Sequence, residues 1–291
     1  WRVLFRSDVL LEIILNPLVE NNMFKTEYLE SEKNNLRQLI DSKIDNKDIY
    51  AFEKCTEKMY EGKPYSLYKY GFAEDLENIT NQEIYKYYNE LIDTAKIDIF
   101  VSGEFNEKEI IDILNKNENI AKLKERTPNY VINKEETEIK KDIKNPNIVE
   151  DIMDVTQGKL VIGMEIKNMK KDDRFVATLY NTILGDSANS KMFQNVREKA
   201  HLAYSARSTY IRPKNDIFIR CGIEIDNYEK ALNIIKEQLE DMKSGNFSED
   251  DINNAKKYII SAVNSVDEEQ DTEITYYLGQ ELAASECTLE Q

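Results

Sequence analysis

The stretch LGDSANSKMFQNVREKAHLAYSARSTY, Leu184 to Tyr210, decides how this chain is interpreted. It begins with small and polar residues typical of a loop, continues with apolar residues at helical spacing, and ends in an alternation that predicts a strand over 203–210. Arg197 and Tyr204 lie on either side of the predicted helix-to-strand junction. A guanidinium and a phenol held on rigid elements can donate hydrogen bonds together to a carbonyl or a developing oxyanion.

The same two residues also have an ordinary structural interpretation. Arg197 paired with a neighbouring acid, and Tyr204 filling a core, would explain both residue types. On the residue pair alone this interpretation is favoured, because structural ion pairs far outnumber catalytic ones. The letters around the pair are therefore needed to choose between the two.

The charge of the chain narrows its partners. Acidic residues outnumber Lys and Arg by 55 to 39, which gives a net charge of −16. Nucleic acid and anionic membrane surfaces would be repelled, so we expect neither as a partner, whereas basic peptides or a basic protein remain compatible. The longest apolar run, Val9–Leu15, is interrupted by Glu12 and is too short to span a bilayer.

The cysteine and histidine content points away from several kinds of site. Cys55, Cys221 and Cys287 are scattered, odd in number and form no C-x-x-C motif, which favours reduced thiols and a cytoplasmic location. His201 is the only histidine of the given sequence. One histidine is too few for a multi-histidine metal site and offers a single candidate for the base of a Ser-His-Asp triad, so the sequence favours neither kind of site. We expect His201 to be a surface or hinge residue.

The first part of the chain is predicted to be mainly helical. Thr26 is expected to cap one helix, Thr80-Asn81-Gln82-Glu83 has the pattern of a capping box, and residues 96–102 alternate as a strand. Because the chain opens inside an uncapped helical pattern, we expect Trp1 to lie within a domain. The apolar patterns predict helices over residues 3–15, 26–44, 49–60, 84–92 and 106–114.

The later part alternates between strand and helix patterns. Residues 148–155 and 160–166 flank Gln157-Gly158 and predict a hairpin, and residues 217–223 predict another strand. Helices are predicted over 175–184, 228–242 and 251–263, the last one opened by Ser248.

Composition divides the chain into three parts. Residues 116–147 are rich in Lys, Glu and Asn with little periodicity, which is typical of a linker, although Tyr130–Ile132 could add an edge strand. We therefore predict a first domain over 1–115, lacking its N-terminal part, a linker over 116–147, and a second domain over 148–291.

The stretch around Arg197 closely resembles a segment of the insulinase/pitrilysin-type zinc metallopeptidases, the family that includes mitochondrial processing peptidase. That segment has the form L-G-x-x-x-x-S-x-L-F-x-x-[LV]-R-E-x-x-x-L-[AG]-Y. Landmarks of the family's first domain also occur in order, at 62–65, 71, 79–80 and 101–104. The matching residues of the segment are Leu184, Gly185, Ser190, Phe193, Val196, Arg197, Glu198, Leu202, Ala203 and Tyr204.

The resemblance implies an α+β fold of two similar α/β sandwich domains, metallohydrolase-like, with mixed sheets and helices packed on one face. It also implies that Arg197 and Tyr204 bind the peptide substrate. The family's H-x-x-E-H zinc motif does not occur between Trp1 and Gln291. Aligning Glu32 with the family's third-ligand helix places Leu39 at the ligand position, and a leucine cannot bind zinc.

We therefore predict a peptidase homologue without a zinc site or cofactor of its own. It would be the non-catalytic subunit of a heterodimeric zinc metallopeptidase, or a homodimer, that holds a peptide or small protein while a zinc-bearing paralogue supplies the metal. One alternative is an active zinc metalloendopeptidase whose H-x-x-E-H motif lies upstream of Trp1. Another is a purely structural subunit, as in the core components of respiratory complexes that share this fold.

Overall fold

The computed structural model describes residues 2–129, 145–170 and 173–282. By their contacts the residues form two compact units, Trp1–Ser42 with Tyr70–Glu136 and Lys43–Lys69 with Thr137–Gln291. Segment 43–69 thus belongs by its contacts to the second unit. The sequence-based division into 1–115, 116–147 and 148–291 stays a prediction. Within the described ranges, no helix combines the length and the apolar character needed to cross a membrane.

The first unit consists of helices and one short hairpin. Its hairpin strands are β1 (Val19–Glu20) and β2 (Met23–Phe24), which pair antiparallel. The helices of this unit are α1 (Arg2–Leu15), α2 (Thr26–Asp41), α4 (Asn81–Thr94), α5 (Glu107–Lys116) and α6 (Glu118–Lys124).

Local capping explains where these helices begin. The predicted capping box at Thr80 is confirmed, because the Thr80 hydroxyl accepts from the Glu83 amide and the Glu83 carboxylate accepts from the Thr80 amide. The predicted Thr26 cap is wrong: α2 begins at Thr26 itself, after Lys25. The Thr26 hydroxyl instead accepts from the Asn81 side-chain amide at 2.8 Å, so it joins two helices.

The strand predicted over residues 96–102 is also wrong. Residues 96–102 form no strand, and the apolar residues Ile97, Ile99 and Val101 are 38–47% exposed. Alternation gives a chain two faces, but a strand also needs a neighbour to pair with, and the sequence alone does not supply one. The edge strand suggested at Tyr130–Ile132 lies outside the described residues.

The second unit is built on a three-stranded antiparallel sheet. Its strands are β3 (Gly158–Glu165), β4 (Ala203–Ile211) and β5 (Asp216–Ile223), in the order β3-β5-β4. The helices of this unit are α3 (Lys47–Met59), α7 (Asp173–Asn181), α8 (Tyr228–Lys243), α9 (Glu249–Asn264) and α10 (Gln270–Leu282).

The predicted hairpin of 148–155 with 160–166 is wrong. Residues 148–155 form no strand, and Ile148, Val149 and Ile152 are 72%, 50% and 92% exposed. β3 pairs with β5 instead, across a much longer separation in sequence. The turn signal at Gln157-Gly158 marks the start of β3 and not the turn of a hairpin.

Both faces of this sheet are covered. One face carries Ile217, Ile219 and Cys221, all at most 3% exposed, which pack in a core with helices α8 and α9. On the other face, the Phe52 ring of α3 lies 4.8 Å from the Phe218 ring in an edge-to-face arrangement. The predicted mixed α/β class is confirmed.

Candidate functional site

The segment that holds the candidate site contains two wide helical turns of the π type. Helix α7 runs directly into the first, Thr182–Asp186, and a short loop leads to the second, Met192–Lys199. Strand β4 then begins at Ala203. The predicted helical segment and strand are therefore confirmed in that order, whereas Gly185 and Asp186 of the predicted loop belong to the first π turn. The π geometry is rare and recurs at functional sites.

The first π turn is fixed by close contact with β4. Leu184 is fully buried, and a Cβ added to Gly185 would lie 2.4 Å from the Ser208 backbone nitrogen. The buried Ser208 hydroxyl donates to the Asn181 side-chain oxygen at 2.7 Å. The glycine of the motif is thus required because the strand backbone passes over it.

The second π turn is anchored on its inner side. Met192 and Val196 are fully buried in the core. The Asn195 side-chain amide donates to Gln238 of α8, and the Phe193 amide donates to the Ser190 hydroxyl at 3.4 Å. The helix that carries Arg197 is therefore held against the sheet and α8.

Arg197 lies on the outer side of this anchored turn. Its side chain is 43% exposed, its Nε lies 3.4 Å from Glu198 Oε1, and its guanidinium carbon lies 4.6 Å from the Phe193 ring centre. An exposed ion pair of this length contributes little, about 0–1 kcal/mol. The guanidinium is therefore available to exchange Glu198 for another acceptor.

Tyr204 follows where β4 begins. It is 63% exposed and lies in the register irregularity between Ala203 and Ser205. Its hydroxyl donates to Glu224 Oε1 at 3.5 Å, the outer limit of a hydrogen bond. The turn before it contains His201, which is exposed and has a positive φ of 53°. His201 therefore lies at the surface, which is one of the two predicted placements.

Arg197 and Tyr204 are thus both exposed hydrogen-bond donors on one anchored segment. Each of them makes a long, weak contact with one glutamate, Arg197 with Glu198 and Tyr204 with Glu224. The structure confirms that they flank the helix-to-strand junction. Their role in binding a substrate stays a prediction at this point.

Comparison with known proteins decides the family. Residues 78–259 match the family described as "Peptidase M16 inactive domain". A Bacillus subtilis (strain 168) protein named "Probable inactive metalloprotease YmfF" is 34% identical over 257 residues, which cover 88% of this chain and 59% of that protein. The chain belongs to the peptidase M16 family. The resemblance to insulinase-type metallopeptidases is confirmed.

Solved structures agree with this assignment. A conserved protein from Enterococcus faecalis V583 superposes with a TM-score of 0.78 at 25% identity, covering all of this chain and 68% of that one. A peptidase M16 inactive domain from Pseudomonas fluorescens gives a TM-score of 0.64 at 16% identity, covering 92% of this chain and 66% of that one, which supports the fold. The match covers 59% of the length of the curated relative from Bacillus subtilis.

The position that the family resemblance predicts for the third zinc ligand is Leu39. Leu39 lies on α2 with 47% of its surface exposed, and its aliphatic side chain cannot coordinate zinc. Among the residues that the structure describes, no three His, Cys, Asp or Glu side chains gather closely enough to hold a metal ion.

Sequence reasoning missed a group of basic residues on the second face of the M16 sheet. Arg220 of β5 lies directly opposite Arg207 of β4. Arg220 was hidden in the strand sequence IFIRCGI, which is otherwise apolar. The signal was available in the alternation, since a charged residue inside a buried strand requires a partner.

Proposed function

We propose that this chain is the non-catalytic, peptide-binding subunit of a heterodimeric M16 zinc peptidase, whose other subunit binds the zinc. The observation that carries the proposal is the exposure of Arg197 and Tyr204, 43% and 63%, on a segment whose inner residues are fully buried. Exposed donors on a fixed frame suit recognition of an external acceptor better than they suit packing. Membership of the M16 family makes a peptide carbonyl the expected acceptor.

The proposed chemistry divides the reaction between two chains. Arg197 and Tyr204 donate hydrogen bonds to the carbonyl region next to the scissile bond, where negative charge develops in the transition state. A zinc-bearing M16 paralogue supplies the metal and the general base. Removing one preorganised donor to an oxyanion typically costs about 3 kcal/mol in transition-state stabilisation.

The absence of a ligand at Leu39 supports assigning the zinc to a partner. The Bacillus subtilis relative carries a name that describes it as an inactive metalloprotease. This relative extends beyond the matched region, so the activity of the whole protein belongs to the proposal. An active enzyme with a motif upstream of Trp1 would contain stoichiometric zinc without any partner, which metal analysis of the full protein would detect.

A second candidate is a structural subunit, and two contacts of Arg197 favour it. Arg197 stacks on Phe193 and pairs with Glu198, so its present contacts are all local. In that case the residue would stabilise its own turn, and peptide turnover would not depend on it.

The test is turnover of a fluorogenic peptide by the full protein co-expressed with a zinc-bearing M16 paralogue. Arg197→Ala and Tyr204→Phe are expected to lower kcat/KM, Arg197→Ala by about a hundredfold from the loss of one donor. Arg212→Ala is the matched control, because Arg212 is exposed at the other end of β4. Unchanged turnover in both variants, with the complex intact, would reject the shared site and favour the structural subunit.

A further inference from the structure

The second face of the sheet gathers three basic side chains in an acidic protein. Arg207 of β4 pairs in register with Arg220 of β5, and on the next rung Gly222 of β5 pairs with Lys159 of β3. We call Lys159, Arg207 and Arg220 the cationic cluster. Like charges directly opposite each other on neighbouring strands are unfavourable unless an anion lies between them.

Helix α3 supplies one such anion. Asp48 in its first turn accepts from an Arg207 terminal nitrogen at 3.1 Å, and the Arg207 side chain remains 52% exposed. Asp48 is also near enough to Arg220 to act on its charge. One carboxylate thus serves two guanidinium groups, and the cluster keeps an excess of positive charge.

The hydrogen-bonding capacity of Arg220 is incompletely used. Its Nε is buried and has no hydrogen-bond partner, while the Phe52 ring centre lies 5.1 Å from the guanidinium carbon. Burial and the neighbouring Arg207 both lower the pKa of Arg220. A buried donor without an acceptor costs about 1–3 kcal/mol, and a bound oxyanion would recover that cost.

The adjoining rung places further polar groups beside these donors. Gly222 has no side chain, and a Cβ placed there would lie 3.2 Å from Lys159 Nζ, Ser205 Oγ and Gln157 Oε1. The Lys159 amine donates to Gln157. Polar side-chain atoms therefore pack closely around Gly222, and an amine and a hydroxyl lie on the rung next to the two arginines.

We infer that the cationic cluster binds a carboxylate of the peptide substrate, which belongs either to an acidic side chain or to the C-terminus. When no peptide is bound, the Asp48 carboxylate occupies part of this site. This deepens the proposed function and rests on it, because Tyr204 lies on the same strand as Arg207. The separation along the strand is roughly 10 Å, about three residues of an extended peptide. Arginine pairs recognise carboxylates by paired hydrogen bonds, which gives selectivity as well as charge. The net charge of −16 attracts basic partners to the chain as a whole. The cationic cluster, in contrast, selects an acidic group at one position of the bound peptide.

The test is fluorescence anisotropy of two labelled peptides, identical except for one Glu replaced by Gln, with the full protein. The Glu peptide is expected to bind about tenfold more tightly, as one charge-assisted pair predicts. Arg207→Gln is expected to remove this preference, whereas the matched control Arg212→Gln keeps it. Asp48→Asn is expected to strengthen binding of the Glu peptide, because it removes the competing carboxylate.

The opposite signs for Arg207→Gln and Asp48→Asn separate recognition from a structural role, since broken packing would weaken binding in both. Circular dichroism of each variant confirms that it folds. Equal binding of both peptides would overturn this inference and leave the proposed function standing. Binding of neither peptide would overturn both. Competition by inorganic phosphate together with equal peptide binding would identify a free-anion site and likewise overturn the peptide assignment.

Discussion

Gly185 shows how one residue of the motif serves the fold. It lies in the first π turn, where an added Cβ would approach the Ser208 nitrogen, Oγ and Cβ at 2.4, 2.6 and 2.8 Å. Two of these atoms belong to a buried side chain and the third belongs to the backbone of a strand. Moving any of them aside would therefore cost free energy. We predict that Gly185→Ala lowers the free energy of unfolding by about 1–3 kcal/mol or more, measured by urea denaturation.

Gly279→Ala is the matched control for this prediction. Gly279 lies within helix α10 and an added Cβ there meets no atom within 4 Å. Alanine is a better helix former by about 1 kcal/mol, so this variant should be neutral or slightly stabilised. Equal behaviour of the two variants would show that the approach of Ser208 to Gly185 is looser than the structure indicates.

Cys221 gives a second prediction for a single residue. It is 1% exposed on the core face of β5, and burial raises its thiol pKa to about 12. At about pH 8 the thiolate is therefore nearly absent in the folded state, whereas an exposed thiol ionises appreciably. We predict that iodoacetamide modifies Cys221 only after unfolding in urea, as measured by peptide mass mapping. Modification at the same rate with and without urea would contradict this.

The contact between α3 and β5 depends on a buried polar pair. The Tyr60 hydroxyl, immediately after α3, donates to Asp216 at the start of β5, and the two residues are 6% and 0% exposed. We predict that Tyr60→Phe lowers the free energy of unfolding by about 1–3 kcal/mol, because a buried carboxylate loses a donor. Tyr277→Phe, in the exposed part of α10, is the control and should change stability little.

The pH dependence of the same pair has a definite sign. Burial first, and then Asp216, raise the pKa of Tyr60 above its ordinary value near 10. The folded state therefore keeps a proton that the unfolded state loses above about pH 10, so stability falls as pH rises beyond that value. The wild type should lose stability more steeply than Tyr60→Phe between about pH 9 and 11, in urea titrations at each pH. Parallel losses would show that Tyr60 titrates normally.

Comparison of predicted and observed elements shows where local sequence is sufficient. The capping box at Thr80 and the helix start at Ser248 were predicted correctly because each depends on residues three apart in one turn. Strand β4 was predicted from its own alternation. The strands expected at 96–102 and 148–155 were wrong because alternation does not specify a pairing partner.

The candidate site divides in the same way. Arg197 and Tyr204 were found because a local motif contains both. The pairing of Arg207 with Arg220 depends on the register of β4 with β5, and Asp48 comes from a distant helix. Contacts set by tertiary packing have no signature at fixed spacing, so sequence reasoning missed the cationic cluster.

At the scale of the whole molecule, the two units differ sharply in buried core. Among the residues that the structure describes, the buried apolar side chains of the first unit are Leu11, Leu76, Ile110 and Ile120, and the other buried apolar side chains belong to the second unit. Stability grows with the apolar surface removed from water, so the units should differ in stability. Such a chain is not expected to unfold in one two-state transition.

We therefore predict two steps in urea, with the first unit unfolding at the lower concentration. Ile110→Ala should shift the first step and Ile219→Ala the second, each by about 2–5 kcal/mol, because each removes buried methyl groups from a different core. Hydrogen exchange followed by mass spectrometry can assign the steps, since peptides from α5 report on the first unit and peptides from β5 on the second. A single transition that both substitutions shift equally would contradict this prediction and would mean that the two units unfold as one body. In that case the stability of the segment that carries Arg197 and Tyr204 would depend on the whole chain and not on the second unit alone.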